Sequence, residues 1–177
     1  GQWVKGPGAQ FLNSIDKEFH GLPIIAEDLG LVTPEVTKLL EDFSLPGMRV
    51  LQFAFSGPDN PFLPHHYPIN CVAYTGTHDN DTSRGWYESA PEKEQDFYRR
   101  YLARSGEDIA WDLIRGVWSS TAGYAITTLQ DLLSLDTSAR MNFPGKPAGN
   151  WSWRYRSSNL TADLSERLQE LNFLYSR

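Results

Sequence analysis

The feature that most limits what this chain can fold into is an alternation, kept up along its length, of short β-forming runs and segments with helical spacing. AQFLNSIDKEFH sets Phe11, Ile15 and Phe19 four apart with Leu12 beside them, the stripe of an amphipathic helix that Gly21 ends. LPIIAED, residues 22–28, reads as a short buried strand. Thr33 as N-cap and Pro34 at the first helical position open a second helix, with Val36, Leu39, Leu40 and Phe43 on one side and Pro46 and Gly47 beyond its end. MRVLQFAF is a second strand, followed by a loop holding Pro58, Pro61, Pro64 and Pro68, and INCVAYTG is a third. PEKEQDFYRRYLA and EDIAWDLIRGVW are helical, the latter with Ile109, Leu113 and Trp118 on roughly one side. YAITTLQDLL, residues 124–133, reads as the fourth strand. A loop-rich stretch over 136–158 leads to a last helix, ADLSERLQELNFLY, capped by Thr161. There is no internal repeat, low-complexity tract or linker.

Strands alternating with helices imply a parallel sheet, because parallel neighbours need a crossover and a helix usually supplies it. The fold class is therefore α/β. An eight-fold barrel puts its reactive groups just past the C-terminal ends of separate strands. Polar clusters stand there in this chain: Glu27 and Asp28 end the first strand, and His78, Asp79, Asn80 and Asp81 follow the third. About four parallel strands make half of a TIM (β/α)8 barrel, which takes eight strands and about 250 residues.

Charge narrows the function. With 16 basic against 22 acidic side chains in 177 residues and a net charge of −6, the chain lacks the basic face of a nucleic-acid binder. No apolar run reaches the ~18 residues of a membrane span, and GQWVKGPG has neither region of a secretory signal. Cys71 is the only cysteine, so no internal disulfide forms; this favours a reducing compartment, and its ordinary role is to fill a buried strand. The first residue is Gly rather than Met, and the expectation is a portion of a longer protein.

Carboxylates at separate strand ends suit glycosidic chemistry. Such a bond breaks through an oxocarbenium-like state, which needs a proton donor on the leaving oxygen and negative charge near the sugar carbon. Glu27 follows Ile24, Ile25 and Ala26, where partial desolvation would keep a proton on it near neutrality. It is the candidate general acid/base. Asp79 lies 79 − 27 = 52 positions later, where barrel closure would bring it beside Glu27, and His78 adds hydrogen bonds for sugar hydroxyls. On spacing alone the plainer reading is the stronger: a Glu at a strand end more often anchors a loop, and Asp79 to Asp81 would be a solvated turn.

IIAEDLG, LPGMRVLQFAF, NPFLPHHYP, YTGTHDNDT, ARMNFPG and GNWSW, with WVKGPG before them, resemble in one order the amylomaltase family of 4-α-glucanotransferases, or disproportionating enzymes, of the α-amylase clan. The resemblance implies that residues 1–177 are the C-terminal part of a single catalytic (β/α)8 barrel domain. It also implies retaining transfer of α-1,4-glucan segments between malto-oligosaccharides, with no cofactor. Glu27 in AEDLG then matches the general acid/base. Asp79 in THDND matches the third carboxylate, which holds the distorted sugar's hydroxyls, and His78 matches the histidine beside it. The family's nucleophilic Asp lies in a motif similar to R-I-D-H-F-R-G on an earlier strand; no such motif occurs here, and Asp16 sits inside the first amphipathic helix. Alone, this polypeptide is expected to be inactive. A cytoplasmic location follows, or a plastid one in a plant or alga.

Aromatic faces can cover glucose rings, and the chain has six Trp and eight Tyr. Phe53, Trp86, Tyr87, Trp151 and Trp153 are candidates to line subsites, while Trp111 and Trp118 read as core or interhelix residues. Asn142 in RMNFPG is a candidate substrate contact, since its amide both donates and accepts; a turn-forming Asn before Phe-Pro is an equal alternative. Asp28 is a candidate second-shell or sugar contact, though placement before a helix explains it almost as well. Arg49, Arg84 and Arg140 could each support a carboxylate. The family often has Asn where His66 stands, and His65 with His66 is weak evidence for a metal site. Two rivals stay open: a catalytically silent glucan-binding domain, and a metal-dependent nucleotide-sugar glycosyltransferase using Asp79-Asn80-Asp81. A calcium loop is disfavoured by Arg84 and Ala90 at the turn-glycine and bidentate-Glu positions.

Overall fold

Parallel pairing holds three strands side by side in the computed structural model, which describes residues 1–2, 4–21 and 23–177. β1 (Gly47–Val50), β2 (Cys71–Tyr74) and β3 (Tyr124–Ile126) lie in sequence order, with Gly47 opposite Cys71 and Val72 opposite Tyr124. Seven α-helices accompany them among the described residues: α1 (Gly8–Phe19), α2 (Pro34–Asp42), α3 (Ser83–Ser89), α4 (Glu92–Leu102), α5 (Ile109–Trp118), α6 (Leu129–Leu132) and α7 (Ala162–Tyr175). The class is α/β.

The strand expected over 22–28 is not formed. Leu22 lies outside the described residues, and 23–28 runs without strand structure, touching the sheet region by one backbone bond from Ala26 N to the carbonyl of Pro46 at 2.9 Å. An isolated bond does not make a ladder, and Ile25 is 50% exposed, so the apolar run buries too little to hold an extended edge. Three parallel strands therefore replace the expected four. MRVLQFAF is a strand only to Val50, where Leu51–Phe53 tightens into a 3-10 turn. YAITTLQDLL divides after Ile126, and Thr128 caps α6 by accepting from the N–H of Asp131.

The two crossovers differ. β2 reaches β3 through α3, α4 and α5, whereas β1 reaches β2 through the proline-rich stretch, whose only regular element is a 3-10 turn at Pro64–His66. Prolines lack the N–H that a helix interior needs, so four of them over 58–68 forbid a helical crossover there.

The core gathers between the sheet and α5. That helix buries Ile109, Ala110, Trp111, Leu113, Ile114, Gly116, Val117 and Trp118, so it is apolar nearly all round, as a central helix must be. Leu51, Phe55, Leu63 and Tyr98 pack with it. Trp118 Nε1 donates to Asn172 Oδ1 at 2.8 Å and fastens α7 to α5, while the Arg167 guanidinium lies 4.0 Å over the Trp111 ring. Both tryptophans are core residues. Trp86 and Tyr87 join the same aromatic cluster through Phe55 and Tyr98, at centroid separations of 5.3 and 5.2 Å, so packing accounts for both. In the proline-rich stretch His65 Nδ1 bonds the Tyr101 hydroxyl, and His66 Nε2 the carbonyl of Pro58, giving each a loop-holding role.

Candidate functional site

β2 delivers its chain to a tightly tied loop. Thr75 extends the ladder by donating from its N–H to the carbonyl of Ile126, and α3 begins at Ser83, so residues 76–82 form a bridge between strand and helix. Asn80 folds the bridge on itself, its Oδ1 accepting from Thr77 N at 2.9 Å and Thr77 Oγ1 at 2.8 Å. Gln52 Nε2 donates to the Asp81 carbonyl at 3.0 Å, and the Thr137 hydroxyl to Asp81 Oδ2 at 2.9 Å. Asn80 and Asp81 thus spend their side chains on the loop.

His78 and Asp79 are left facing outward, each side chain about half exposed. Asn142 Nδ2 donates to Asp79 Oδ1 at 2.5 Å, and Arg140 Nη2 to the Asp79 carbonyl at 2.6 Å. Arg140 Nε also donates to the Asn142 carbonyl at 2.8 Å, and Asn142 N to the His78 carbonyl at 3.1 Å. His78 Nε2 stands 3.4 Å from Asp79 Oδ2, an ion pair only while the imidazole is protonated. The Trp151 ring lies 4.9 Å from the His78 ring, centroid to centroid. A cavity of about 190 Å³ lies alongside, lined by His78, Arg140, Met141 and Trp151 among others. It is smaller than the roughly 300 Å³ at which ligand pockets usually begin. Such a site can take the edge of one polar ring.

Glu27 takes no part in the hydrogen bonds of this cluster. It is exposed, so the apolar enclosure expected from Ile24, Ile25 and Ala26 does not form around its carboxyl, and no hydrogen bond among the described residues joins it to Asp79. Its neighbour Asp28 is anchored, with Oδ1 accepting from Met48 N at 2.6 Å and Oδ2 from Arg49 Nη1 at 3.0 Å. Those bonds set Glu27 beside the start of β1. Phe53 packs edge-on to Phe62 and lines, with Asp28 and Arg49, a separate open cleft of about 700 Å³ that neither Glu27 nor Asp79 reaches. Of the three arginines proposed as carboxylate supports, Arg49 takes Asp28, Arg84 takes Glu88 across one helical turn, and Arg140 holds backbone carbonyls instead. No group of three or more His, Cys, Asp or Glu suited to a metal lies among the described residues. No helix among them is long and apolar enough to cross a membrane.

A glycoside hydrolase family 77 model, described as 4-alpha-glucanotransferase, matches residues 1–161. The chain belongs to the 4-alpha-glucanotransferase family. It is 47% identical over 180 residues to the 4-alpha-glucanotransferase of Thermus thermophilus, covering 97% of this chain and 36% of that protein. To the chloroplastic/amyloplastic 4-alpha-glucanotransferase of Arabidopsis thaliana it is also 47% identical, over 182 residues, covering 100% of this chain and 32% of the relative. The amylomaltase from Streptococcus agalactiae in complex with acarbose superposes with a TM-score of 0.94 at 34% identity, covering 100% of this chain and 36% of that one. The chain spans about a third of the length of the relatives it matches.

In this family member the residues that sequence reasoning passed over are the loop's supports. Asp131, Thr75, Gln52 and Thr137 carry no local motif for a sugar site, and Asp131 was hidden inside an expected strand. One signal was available: Thr128 and Asp131 stand three apart before Leu132 and Leu133, the spacing of a capped helix start.

Proposed function

We propose that the chain carries the acid/base and the third carboxylate of a retaining 4-α-glucanotransferase that moves α-1,4-glucan segments between malto-oligosaccharides. The reading rests most on the Asn142-to-Asp79 bond at 2.5 Å in a member of this family. It holds one oxygen of Asp79 and leaves Oδ2, next to His78, for a donor sugar. The Asn142 carbonyl oxygen of the side-chain amide then accepts from a neighbouring hydroxyl, and His78 offers a ring nitrogen to another. Phe53 and Asp28 line the separate cleft of about 700 Å³, which would take glucose units further along the chain. Residues 1–177 form the C-terminal part of a (β/α)8 barrel whose other strands bring Glu27 and Asp79 to the same ring.

Glu27 gives its proton to the glycosidic oxygen as the bond to the anomeric carbon breaks. An Asp supplied from outside these 177 residues attacks that carbon, and Asp79 accepts hydrogen bonds from the sugar hydroxyls as positive charge develops. The acceptor hydroxyl returns its proton to Glu27 while attacking the glycosyl-enzyme, and two inversions give retention. Acarbose in the Streptococcus agalactiae structure supports an oligosaccharide as the occupant. The working compartment is the cytoplasm, or the plastid in a plant.

The test compares two polypeptides with maltotriose. The 177-residue chain alone should release no sustained glucose, and the same chain extended upstream through the nucleophile motif should disproportionate it. In the extended protein Glu27→Gln should lower transfer at least about 100-fold with maltotriose binding largely kept. Sustained release by the short chain, or full transfer by Glu27→Gln, sinks the assignment.

A further inference from the structure

Asp131 alone among the described acidic residues is buried, with 1% of its surface exposed, and no chemical step above employs it. Its Oδ2 accepts from the Thr75 hydroxyl at 2.6 Å and its Oδ1 from the Ser83 N–H at 2.7 Å. Thr75 is where β2 stops pairing, and Ser83 is where α3 begins. One carboxylate therefore grips both ends of the loop that carries His78 and Asp79. It is itself fixed, because its N–H donates to Thr128 Oγ1 at the start of α6. Burying a carboxylate is costly unless its oxygens are matched, and apolar residues of similar volume often serve a core as well or better. Its placement here fits a demand for position.

We infer that Asp131 is a positioning residue for transfer: by joining Thr75 to Ser83 it holds residues 76–82 in the conformation that presents Asp79 and His78 to the donor sugar. The inference rests on reading Asp79 as the third carboxylate. The other ties from outside the loop each act at one place along it: Gln52 and Thr137 at Asp81, Arg140 at Asp79, and Asn142 at Asp79 and the adjoining His78 carbonyl. Asp131 sets the distance between the loop's two ends, which no single-point tie can do. A loose loop would still let maltotriose dock, while Asp79 would miss the geometry that matters as charge builds. The loss belongs in kcat, with KM little moved.

The experiment uses the upstream-extended protein with α-maltosyl fluoride as donor, whose good leaving group keeps slow variants measurable. Asp131→Ala should lower kcat about tenfold or more with KM within about twofold. Thr75→Val, which removes one hydroxyl at constant shape, should lower kcat several-fold, and Thr75→Ser should recover most of it. On an Asp79→Asn background neither Asp131→Ala nor Thr75→Val should add a comparable loss, since both act through Asp79. Unchanged kcat in folded Asp131→Ala and Thr75→Val overturns the inference. So does an undiminished further loss on the Asp79→Asn background, or collapse of the fold in Thr75→Val, which would make the contact a stability element only. Full activity in Asp79→Asn itself would overturn the reading beneath the inference as well, and that result separates the two failures.

Discussion

Asp79 holds its place through residues about sixty positions away in sequence. Arg140 fixes its carbonyl and Asn142 its carboxylate, and Arg140 also steadies Asn142 through that residue's own carbonyl. Replacing the amide by a second carboxylate at this distance sets two like charges together, and one of them must take a proton. Asn142→Asp should therefore cost more transfer activity at neutral pH than Asn142→Ala, and should regain part of it as the pH falls. Initial rates of glucose release from maltotriose between pH 5 and 7.5 would show this; identical profiles would remove Asn142 from the site. At this scale the sequence was informative where polar residues crowd after an apolar run, as at His78 and Asp79. It was mute about Gln52, Thr75 and Thr137, because their roles arise from where the chain returns in space. Asp28 was visible as a strand-end acid, yet its engagement with Met48 and Arg49 depends on tertiary contact.

Among the elements, α3 shows how closely the loop and the helix behind it are fitted. A Cβ on Gly85 would stand 2.1 Å from Thr137 Oγ1 and 2.6 Å from Asp81 Oδ1, and the Thr137 hydroxyl is held in place by its hydrogen bond to the other oxygen of that carboxylate, Oδ2. Alanine inside an exposed helix gains roughly 1 kcal/mol over glycine. Here the sign reverses. Gly85→Ala should destabilise the fold by about 1–3 kcal/mol through overpacking, read as a lowered urea midpoint, and a raised midpoint would show that the contact yields freely. Helices were largely legible: the stripes of α1, α2 and α5 follow residue spacing, Pro91 marks the start of α4, and Thr161 does accept from the Leu164 N–H at the start of α7. Strand ends were not, since LQFAF and TTLQDLL have β-forming composition while turn and cap bonds pull them into tight helical turns. Thr33 stands at the N-cap of α2 with extended backbone, but its side chain makes no cap bond, so Pro34 is what marks that start.

For the molecule as a whole, one buried acid ties stability to pH. Burial pushes the Asp131 carboxyl above its ordinary value of 3.8, against hydrogen bonds from Thr75, Ser83 and Thr128 that pull it down. The folded state then holds this proton more firmly than the unfolded one, so the contribution is fully present below the unfolded value and is lost as pH rises through the folded one. Asp131→Asn keeps the shape and does not titrate. Wild type should lose stability relative to Asp131→Asn as the pH is raised from about 4, measured as the difference in denaturation midpoints; a difference that stays flat, or grows with pH, would show that the carboxyl is not burdened by burial. Class and family could be read from the alternation and the ordered segments. The number of strands could not, because pairing needs a neighbour as well as a suitable composition, and residues 23–28 find only the carbonyl of Pro46.

β3 pairs only with β2 among the described residues, and Tyr124 and Ile126 on it are largely open to solvent. A border of free amides and carbonyls accepts another strand as readily from a second molecule as from the same one.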